Sequence, residues 1–94
     1  MRCLIFGFGY MGKIRYQMLQ SHPEVREIIV VDPDERVRMR RDGAIPTSFL
    51  LPGDSIPWDA VDAVFICTPN HVTAQLVVEA LKRCGRVFCE KPPG

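Results

Sequence analysis

Three glycines in the pattern Gly-x-Gly-x-x-Gly, placed directly after the first apolar run, constrain this chain more than any other feature. The run Arg2–Phe6 leads straight into Gly7, Gly9 and Gly12, and a second apolar run ends at Asp32, 20 residues beyond the last of these glycines. A strand, a glycine-rich turn, a helix, a second strand and a carboxylate in this order are typical of a βαβ unit that binds a dinucleotide. The sequence therefore predicts an α/β fold whose first turn holds a diphosphate.

Each position of the glycine-rich turn has a separate task in this interpretation. Gly7 adopts the backbone conformation of a tight turn, and Gly9 lets the main chain approach a pyrophosphate. Gly12 lets the first helix lie close to the first strand, and the first turn of that helix directs its unpaired N–H groups at the phosphates. We expect Tyr10 and Met11 to contact the cofactor through their backbone, while their side chains pack locally.

The acidic residue at the end of the second strand bears on which dinucleotide is bound. Asp32 can accept hydrogen bonds from an adenosine ribose, and its charge would repel a 2′-phosphate, so NAD is the favoured cofactor and NADP is possible. Arg36, Arg38, Arg40 and Arg41 weaken this preference, because Arg36 lies one helical turn beyond Asp32 and could reach a phosphate. The favoured alternative is that these arginines form a solvated helix face.

Composition excludes several other classes of function. With 94 residues and a net charge of +1, the chain predicts one small domain whose main partner is neither nucleic acid nor an anionic membrane. The apolar stretch Cys3–Phe8 is too short for a signal peptide, and no apolar run approaches the ~18 residues of a membrane helix. The four cysteines contain no Cys-x-x-Cys pair, and a reducing, cytoplasmic environment fits them best.

The four cysteines predict reduced thiols rather than a metal site. Cys3, Cys67 and Cys89 fall in strands that are predicted to be buried, where a reduced cysteine acts as a small apolar side chain. The spacings Cys67-x3-His71 and Cys84-x4-Cys89 match no common zinc knuckle, so we expect no metal.

Strand and helix patterns alternate through the whole chain and predict a parallel sheet covered on both faces. Strands are predicted at Arg2–Phe6, Glu27–Val31, Ala44–Pro46, Ala63–Cys67 and Arg86–Cys89, and helices at Gly12–Gln20 and from His71 or Val72 to Cys84. The expected inner faces of these helices are Ile14, Met18 and Leu19 in the first, and Leu76, Val77, Ala80 and Leu81 in the second. Asp34 is expected to cap a further short helix that Gly43 ends, and Trp58 to anchor the loop Pro46–Pro57 on the sheet.

Right-handed crossovers then predict a doubly wound, Rossmann-like sheet with strand order 3-2-1-4-5. The carboxyl ends of the first and fourth strands flank the switch point of this sheet, and ligands bind in the crevice between them. The candidate functional segments are therefore Gly7–Gly12, Asp32, Thr68–His71 and Glu90–Pro92.

Three segments together resemble the amino-terminal domain of the glucose–fructose oxidoreductase, inositol dehydrogenase and rhizopine-catabolism (Gfo/Idh/MocA) oxidoreductases. They are Gly7–Gly12, Cys67-Thr68-Pro69-Asn70 and Glu90-Lys91-Pro92, and the similarity extends over essentially all 94 residues. Many dehydrogenases share the first segment, whereas the second and third form a far more specific combination. The resemblance implies an enzyme that uses NAD(P) to oxidise or reduce a carbohydrate-like alcohol or ketone.

The resemblance also implies roles for individual residues. It places Lys91, as the catalytic group, beside the nicotinamide ribose and the substrate hydroxyl. An ammonium there favours the developing alkoxide and can relay its proton. Thr68, Pro69, Asn70 and Glu90 are implied to contact the dinucleotide.

Two departures from the family pattern affect these expectations. The family often carries a His three residues after the Asn; here that position is Thr73, and His71 directly follows Asn70, so we give that role to neither residue. Family members also continue into a second α/β domain that builds most of the substrate pocket. We therefore expect residues 1–94 to form an incomplete NAD(P)-binding Rossmann domain that is inactive by itself.

A stand-alone nucleotide-binding module without catalysis, which senses a nucleotide or pairs with a partner subunit, is the alternative function. An exposed last strand at Arg86–Cys89 would favour pairing between copies, so a homo-oligomer is possible. Another Rossmann reductase class, such as a biliverdin- or dipicolinate-type reductase, is a third interpretation that the Glu-Lys-Pro segment disfavours.

Overall fold

A computed structural model of the chain describes residues 1–34, 36, 45–68 and 70–89. Within these ranges the chain forms β1 (Arg2–Phe6), α1 (Tyr10–Gln20), β2 (Glu27–Val31), β3 (Thr47–Leu50), β4 (Ala63–Ile66), α2 (Asn70–Arg83) and β5 (Val87–Cys89). A short 3-10 turn, Trp58–Ala60, precedes β4.

The five strands form one parallel sheet in the order β3-β2-β1-β4-β5, which confirms the predicted order. β1 is central, and Phe6 at its end is level with Val31 of β2 and with Ile66 of β4. Because these three strands end together, the residues that follow them, Gly7 and Asp32 among them, lie along the same edge of the sheet.

The apolar residues of β1 are buried on both faces of the sheet. Cys3 and Ile5 pack with Tyr16 and Leu19 of α1. Their neighbours Leu4 and Phe6 pack on the opposite face, in a cluster that includes Ala80 of α2 and Cys84 just beyond it. A continuous apolar run is the pattern of a strand covered on both sides, and β1 is such a strand.

The third strand was predicted in the wrong place. It is Thr47–Leu50 and not Ala44–Pro46, so it occupies the start of the stretch that was predicted to be a loop. Pairing with β2 defines this strand, and its Phe49 packs edge-on against Phe8 with ring centroids 5.8 Å apart. The short run Thr-Ser-Phe-Leu contains too little alternation to reveal those long-range contacts.

Helix α1 begins at Tyr10, two residues earlier than predicted, and its buried face also differs from the prediction. Gly12, Tyr16 and Leu19 are buried, a spacing of i, i+4 and i+7, whereas Met18 lies off this face and is 53% exposed. Leu81 of α2, also predicted to be buried, is 58% exposed.

The cysteines lie at different depths, and all four lie among the described residues. Cys3 and Cys84 are buried and Cys67 is half-buried, but Cys89, predicted to be buried, is exposed because β5 is an edge strand. None forms a disulfide. Among the described residues no group of three metal-ligating side chains is assembled, and neither α1 nor α2 is long and apolar enough to cross a membrane.

Two further expectations concern the segments around the sheet. The indole of Trp58 packs on Phe6 with ring centroids 6.2 Å apart, which confirms that it anchors its loop on the sheet. The carboxylate of Asp34 accepts a hydrogen bond from the backbone N–H of Arg36 at 3.0 Å, as a cap would. The remainder of the predicted short helix, including Gly43, lies outside the described residues.

Candidate dinucleotide-binding site

Gly7 makes the turn after β1 with a backbone that other residues adopt only at a cost. Its φ is +90°, and its N–H donates to the carbonyl of Val31 at 2.8 Å. A Cβ on Gly7 would lie 2.8 Å from the carbonyl oxygen of Cys67, which directly follows β4. This turn is therefore packed against the end of β4, at the switch point of the sheet.

Gly12 lets α1 lie directly on that turn. A Cβ on Gly12 would lie 2.0 Å from the carbonyl oxygen of Gly7, a contact that no side-chain rotation could relieve. The expected close approach of helix and strand is therefore confirmed in the structure, and it positions the amino end of α1 beside the end of β1.

Gly9 differs from both, because nothing in the described protein requires a glycine there. Its φ of −78° is open to any residue, and a Cβ on Gly9 would meet no heavy atom within 4 Å. As the N-cap of α1 it offers no side chain to the first N–H groups, and the first turn of this fully described helix holds no acidic residue. The space over Gly9 is therefore open beside helix N–H groups, which suits an anion.

The two residues after Gly9 lie at this open end of the helix. Tyr10 is 77% exposed, so the expectation that its side chain packs locally is wrong, whereas Met11 is half-buried. Their backbone groups belong to the first turn of α1, where the sequence analysis placed a diphosphate.

Asp32 has a second role that sequence reasoning missed. One carboxylate oxygen, Oδ2, accepts a hydrogen bond from the backbone N–H of Phe8 at 2.6 Å, and Oδ1 accepts one from Asp34 at 2.8 Å. The carboxylate thus ties the glycine-rich turn to the end of β2. Each oxygen keeps a second lone pair, so both can still accept hydrogen bonds from ribose hydroxyls.

Asp34 and Arg36 form an ion pair beside Asp32. The Asp34 carboxylate accepts from Arg36 Nη2 at 2.8 Å and from Nε at 3.0 and 3.1 Å, in addition to the backbone bond. These hydrogen bonds lower the pKa of Asp34 from 3.8 to about 2 and raise the pKa of Arg36. The sequence predicts only a capping role for Asp34, although its separation of two residues from Arg36 is a signal for the ion pair.

The end of β4 meets the glycine-rich turn as the predicted topology requires. Thr68 is half-buried, and its methyl Cγ2 lies 3.1 Å from where a Cβ on Gly7 would be. Asn70 is the first residue of α2. Pro69, Glu90 and Lys91 lie outside the described residues, so their positions in the crevice remain predictions.

A parallel sheet ordered β3-β2-β1-β4-β5, with a glycine-rich turn and an open helix N-terminus at its switch point, defines a Rossmann-like nucleotide-binding domain. A family model described as "Oxidoreductase family, NAD-binding Rossmann fold" matches residues 1–94. The chain therefore belongs to this family, the Gfo/Idh/MocA oxidoreductases.

Curated relatives and a solved structure are similar over nearly the whole chain. Inositol 2-dehydrogenase of Rubrobacter xylanophilus is 37% identical over 94% of the chain and 26% of its own length. 2,7-Anhydro-N-acetylneuraminate hydratase of Escherichia coli is 28% identical over 94% of the chain and 23% of its own length. The crystal structure of a probable dehydrogenase from Thermotoga maritima matches with a TM-score of 0.68 and 25% identity, over 98% of the chain and 28% of that structure. The chain thus spans about a quarter of the length of these proteins.

Proposed function

We propose that this chain is the dinucleotide-binding part of an NAD(P)-dependent oxidoreductase that transfers hydride to or from a carbohydrate-like alcohol or ketone. The single observation that carries the proposal is Gly9. Gly7 and Gly12 are required by contacts within the protein, whereas Gly9 is required by no described contact and lies under open space at a helix N-terminus. A ligand that approaches the main chain gives this glycine its physical reason.

Each described residue of the site has a task in this proposal. The first N–H groups of α1 hold the diphosphate, and the Asp32 carboxylate accepts the hydroxyls of the adenosine ribose while it braces Phe8. Thr68 lines the other wall of the crevice. The family resemblance supports Pro69, Asn70 and Glu90 as further contacts of the dinucleotide. The nicotinamide cofactor, when bound, supplies the hydride donor or acceptor.

The family resemblance supports Lys91 as the catalytic residue. Its ammonium would donate a hydrogen bond to the reacting substrate oxygen and favour the alkoxide that develops there. The same group would carry the hydroxyl proton away during oxidation and return it during reduction. We propose that a further domain of the protein builds most of the substrate pocket, so residues 1–94 alone would turn over no substrate.

The names of the relatives guide the choice of substrates to be assayed. Several are inositol dehydrogenases, and two are hydratases of an anhydro sugar acid. We therefore propose a polyol or sugar derivative as substrate, with oxidation of the polyol tested first and addition of water to an anhydro sugar tested second. A cytoplasmic location remains a prediction.

The test measures nucleotide binding and turnover separately in the purified intact protein, with the proposed further domain present. We expect NADH to bind, and the variant Lys91→Met to bind it within about twofold of the wild type while turnover falls roughly a hundredfold or more. Lys82→Met is the matched control, because Lys82 is exposed in the last turn of α2, away from the carboxyl ends of the strands, and should leave both unchanged. Undiminished turnover in Lys91→Met would remove the catalytic assignment, and failure of both NADH and NADPH to bind would remove the nucleotide site.

The surface of β5 supports a binding module as the second candidate. This strand lies at the end of the sheet, and Phe88, 52% exposed, stacks on Phe65 with ring centroids 5.0 Å apart. An apolar edge favours pairing with another strand. Tight nucleotide binding by a stable dimer, with no turnover of any polyol or sugar, would favour the module over the enzyme.

A further inference from the structure

Asp34 and Arg36 form an ion pair, here called the clamp, shortly after Asp32, whose carboxylate is proposed to accept the ribose hydroxyls. The Asp34 carboxylate contacts both Nε and Nη2 of Arg36 at 2.8 to 3.1 Å, and it also accepts the Arg36 backbone N–H at 3.0 Å. The guanidinium is otherwise open to solvent, since the side chain is 91% exposed. Of Arg36, Arg38, Arg40 and Arg41, only Arg36 lies among the described residues, and Asp34 contacts it.

Two successive turns link this clamp to Asp32. Oδ1 of Asp32 accepts the N–H of Asp34, and Oδ1 of Asp34 accepts the N–H of Arg36. Each aspartate therefore organises the backbone two residues beyond it. This arrangement keeps the guanidinium of Arg36 on the Asp34 carboxylate and so restricts where the guanidinium can reach.

We propose that Asp34 is a specificity-determining residue of the dinucleotide site, which favours NAD by holding the guanidinium of Arg36 away from a 2′-phosphate. The inference rests on the proposed dinucleotide site, which it deepens. Arginine binds phosphate through its planar fork, and in this protein two of the fork's nitrogens already bind Asp34. Binding of a 2′-phosphate through Nε and Nη2 of Arg36 would have to break that clamp, whereas binding of NAD would not.

The size of the effect follows from the exposure of the pair. Exposed ion pairs contribute modestly, so release of Arg36 should change affinity for NADPH by roughly threefold to fivefold rather than by orders of magnitude. The larger part of the preference for NAD then belongs to Asp32, whose charge meets the 2′-position directly. Asp34 therefore adjusts a preference that Asp32 establishes.

The experiment measures dissociation constants for NADH and NADPH in the wild type, in Asp34→Asn, in Arg36→Gln and in the double variant. Asparagine keeps an oxygen for the Arg36 backbone N–H but loses the ionic clamp, and Asp34→Ser, which keeps a hydroxyl for the same turn, is a second replacement. We expect NADPH to bind roughly threefold to fivefold more tightly to Asp34→Asn, while NADH binding changes less than about twofold. Asp59→Asn is the control: it removes the same charge in the 3-10 turn before β4 and should alter neither constant.

The double variant distinguishes two effects of Asp34 on NADPH binding: the ion pair with Arg36, and the direct repulsion of the 2′-phosphate by the Asp34 charge. If Asp34 acts by holding Arg36, the gain in NADPH affinity disappears when Arg36→Gln is also present. A gain that persists without the guanidinium, or an unchanged ratio of the two constants in both replacements of Asp34, would overturn the inference and leave the dinucleotide site intact. Failure of both nucleotides to bind the wild type would overturn the site and the inference together.

Discussion

Each of the three glycines of the first turn is a glycine for a different physical reason, and substitutions distinguish these reasons. A Cβ on Gly12 would collide with the carbonyl oxygen of Gly7, so Gly12→Ala should lower the free energy of unfolding by about 2 kcal/mol or more. Gly9→Ala meets open space at an ordinary φ and should leave that free energy within about 0.5 kcal/mol of the wild type. Urea unfolding of the two variants measures the contrast.

Binding of NADH provides the complementary measurement for Gly9. A methyl group at that position would occupy the space proposed for the diphosphate, so Gly9→Ala should raise the dissociation constant roughly tenfold, or about 1.4 kcal/mol. Unaltered NADH affinity in a stable Gly9→Ala protein would contradict the observation that carries the proposed function.

Asp32 combines a structural and a binding role, which predicts a cost to stability even without cofactor. Asp32→Ala would leave the N–H groups of Phe8 and Asp34 without their carboxylate partners. Because the Phe8 bond is partly buried, we expect a loss of about 1 to 3 kcal/mol in unfolding free energy without nucleotide. Wild-type stability in that variant would mean that water replaces the carboxylate at both N–H groups.

At the scale of elements, β1 is the strand on which both faces of the sheet depend. Leu4 is fully buried within the cluster that includes Ala80, and its truncation in Leu4→Ala should lower the unfolding free energy by about 2 to 5 kcal/mol. Met18→Ala, at a side chain of α1 that is 53% exposed, is the control and should change it by less than about 0.5 kcal/mol. Equal losses in the two variants would mean that α1 buries the face predicted from sequence.

Burial within the elements also orders the reactivity of the cysteines. Cys3 in β1 is buried, and this burial raises the pKa of its thiol, whereas Cys89 in β5 is exposed. An alkylating reagent should therefore modify Cys89 in the native protein and Cys3 only on unfolding. Mass spectrometry of peptides from briefly labelled protein measures how far each cysteine has been alkylated. Early labelling of Cys3 would show that β1 is accessible to the reagent.

At the scale of the whole molecule, two groups predict how stability depends on pH. The pKa of Asp34 is lowered to about 2, so its contribution is complete above the ordinary value of 3.8 and is lost as the pH falls toward about 2. The pKa of Cys3 is raised above 9.0, so its contribution is complete below that value and is lost as the pH rises through the higher pKa. Unfolding midpoints should therefore fall at both extremes.

Two variants test which group causes the loss of stability at each end of the pH range. In Asp34→Asn the unfolding midpoint should depend less on pH at the acid end, and in Cys3→Ala it should depend less on pH at the alkaline end. Neither variant should change the pH dependence at the opposite end. The 2′-phosphate of NADPH loses its second proton at about pH 6, so the ratio of the NADH and NADPH constants should change between about pH 5 and about pH 8. That change should be the same in the wild type and in Asp34→Asn, because neither Asp34 nor Arg36 changes charge in this range. A pH dependence that differs between these two proteins would point to a further protein group that titrates near the ribose.

Much of the fold could be predicted from the sequence because its signals are local. The continuous apolar run of β1 predicts a strand covered on both faces, and alternation with helices predicts parallel strands whose right-handed crossovers leave one sheet order. The spacing of Gly7, Gly9 and Gly12 before Asp32 predicts the turn and its place at the edge of the sheet. Each of these inferences needs only neighbouring residues and general rules of chain geometry.

Only the tertiary structure decided which residues depend on distant partners. β3 exists at Thr47–Leu50 because β2 pairs with it, and Tyr16 rather than Met18 is buried because α1 packs on the sheet around Gly12. The hydrogen bond from Phe8 to Asp32 joins residues far apart in sequence, and so it left no local pattern. The sequence by itself determined β1, β2, β4, β5, the helices α1 and α2 and the order of the sheet, since these follow from local pattern. The three-dimensional packing decided where β3 lies, which glycines the protein needs for its own structure and which one leaves room for a ligand.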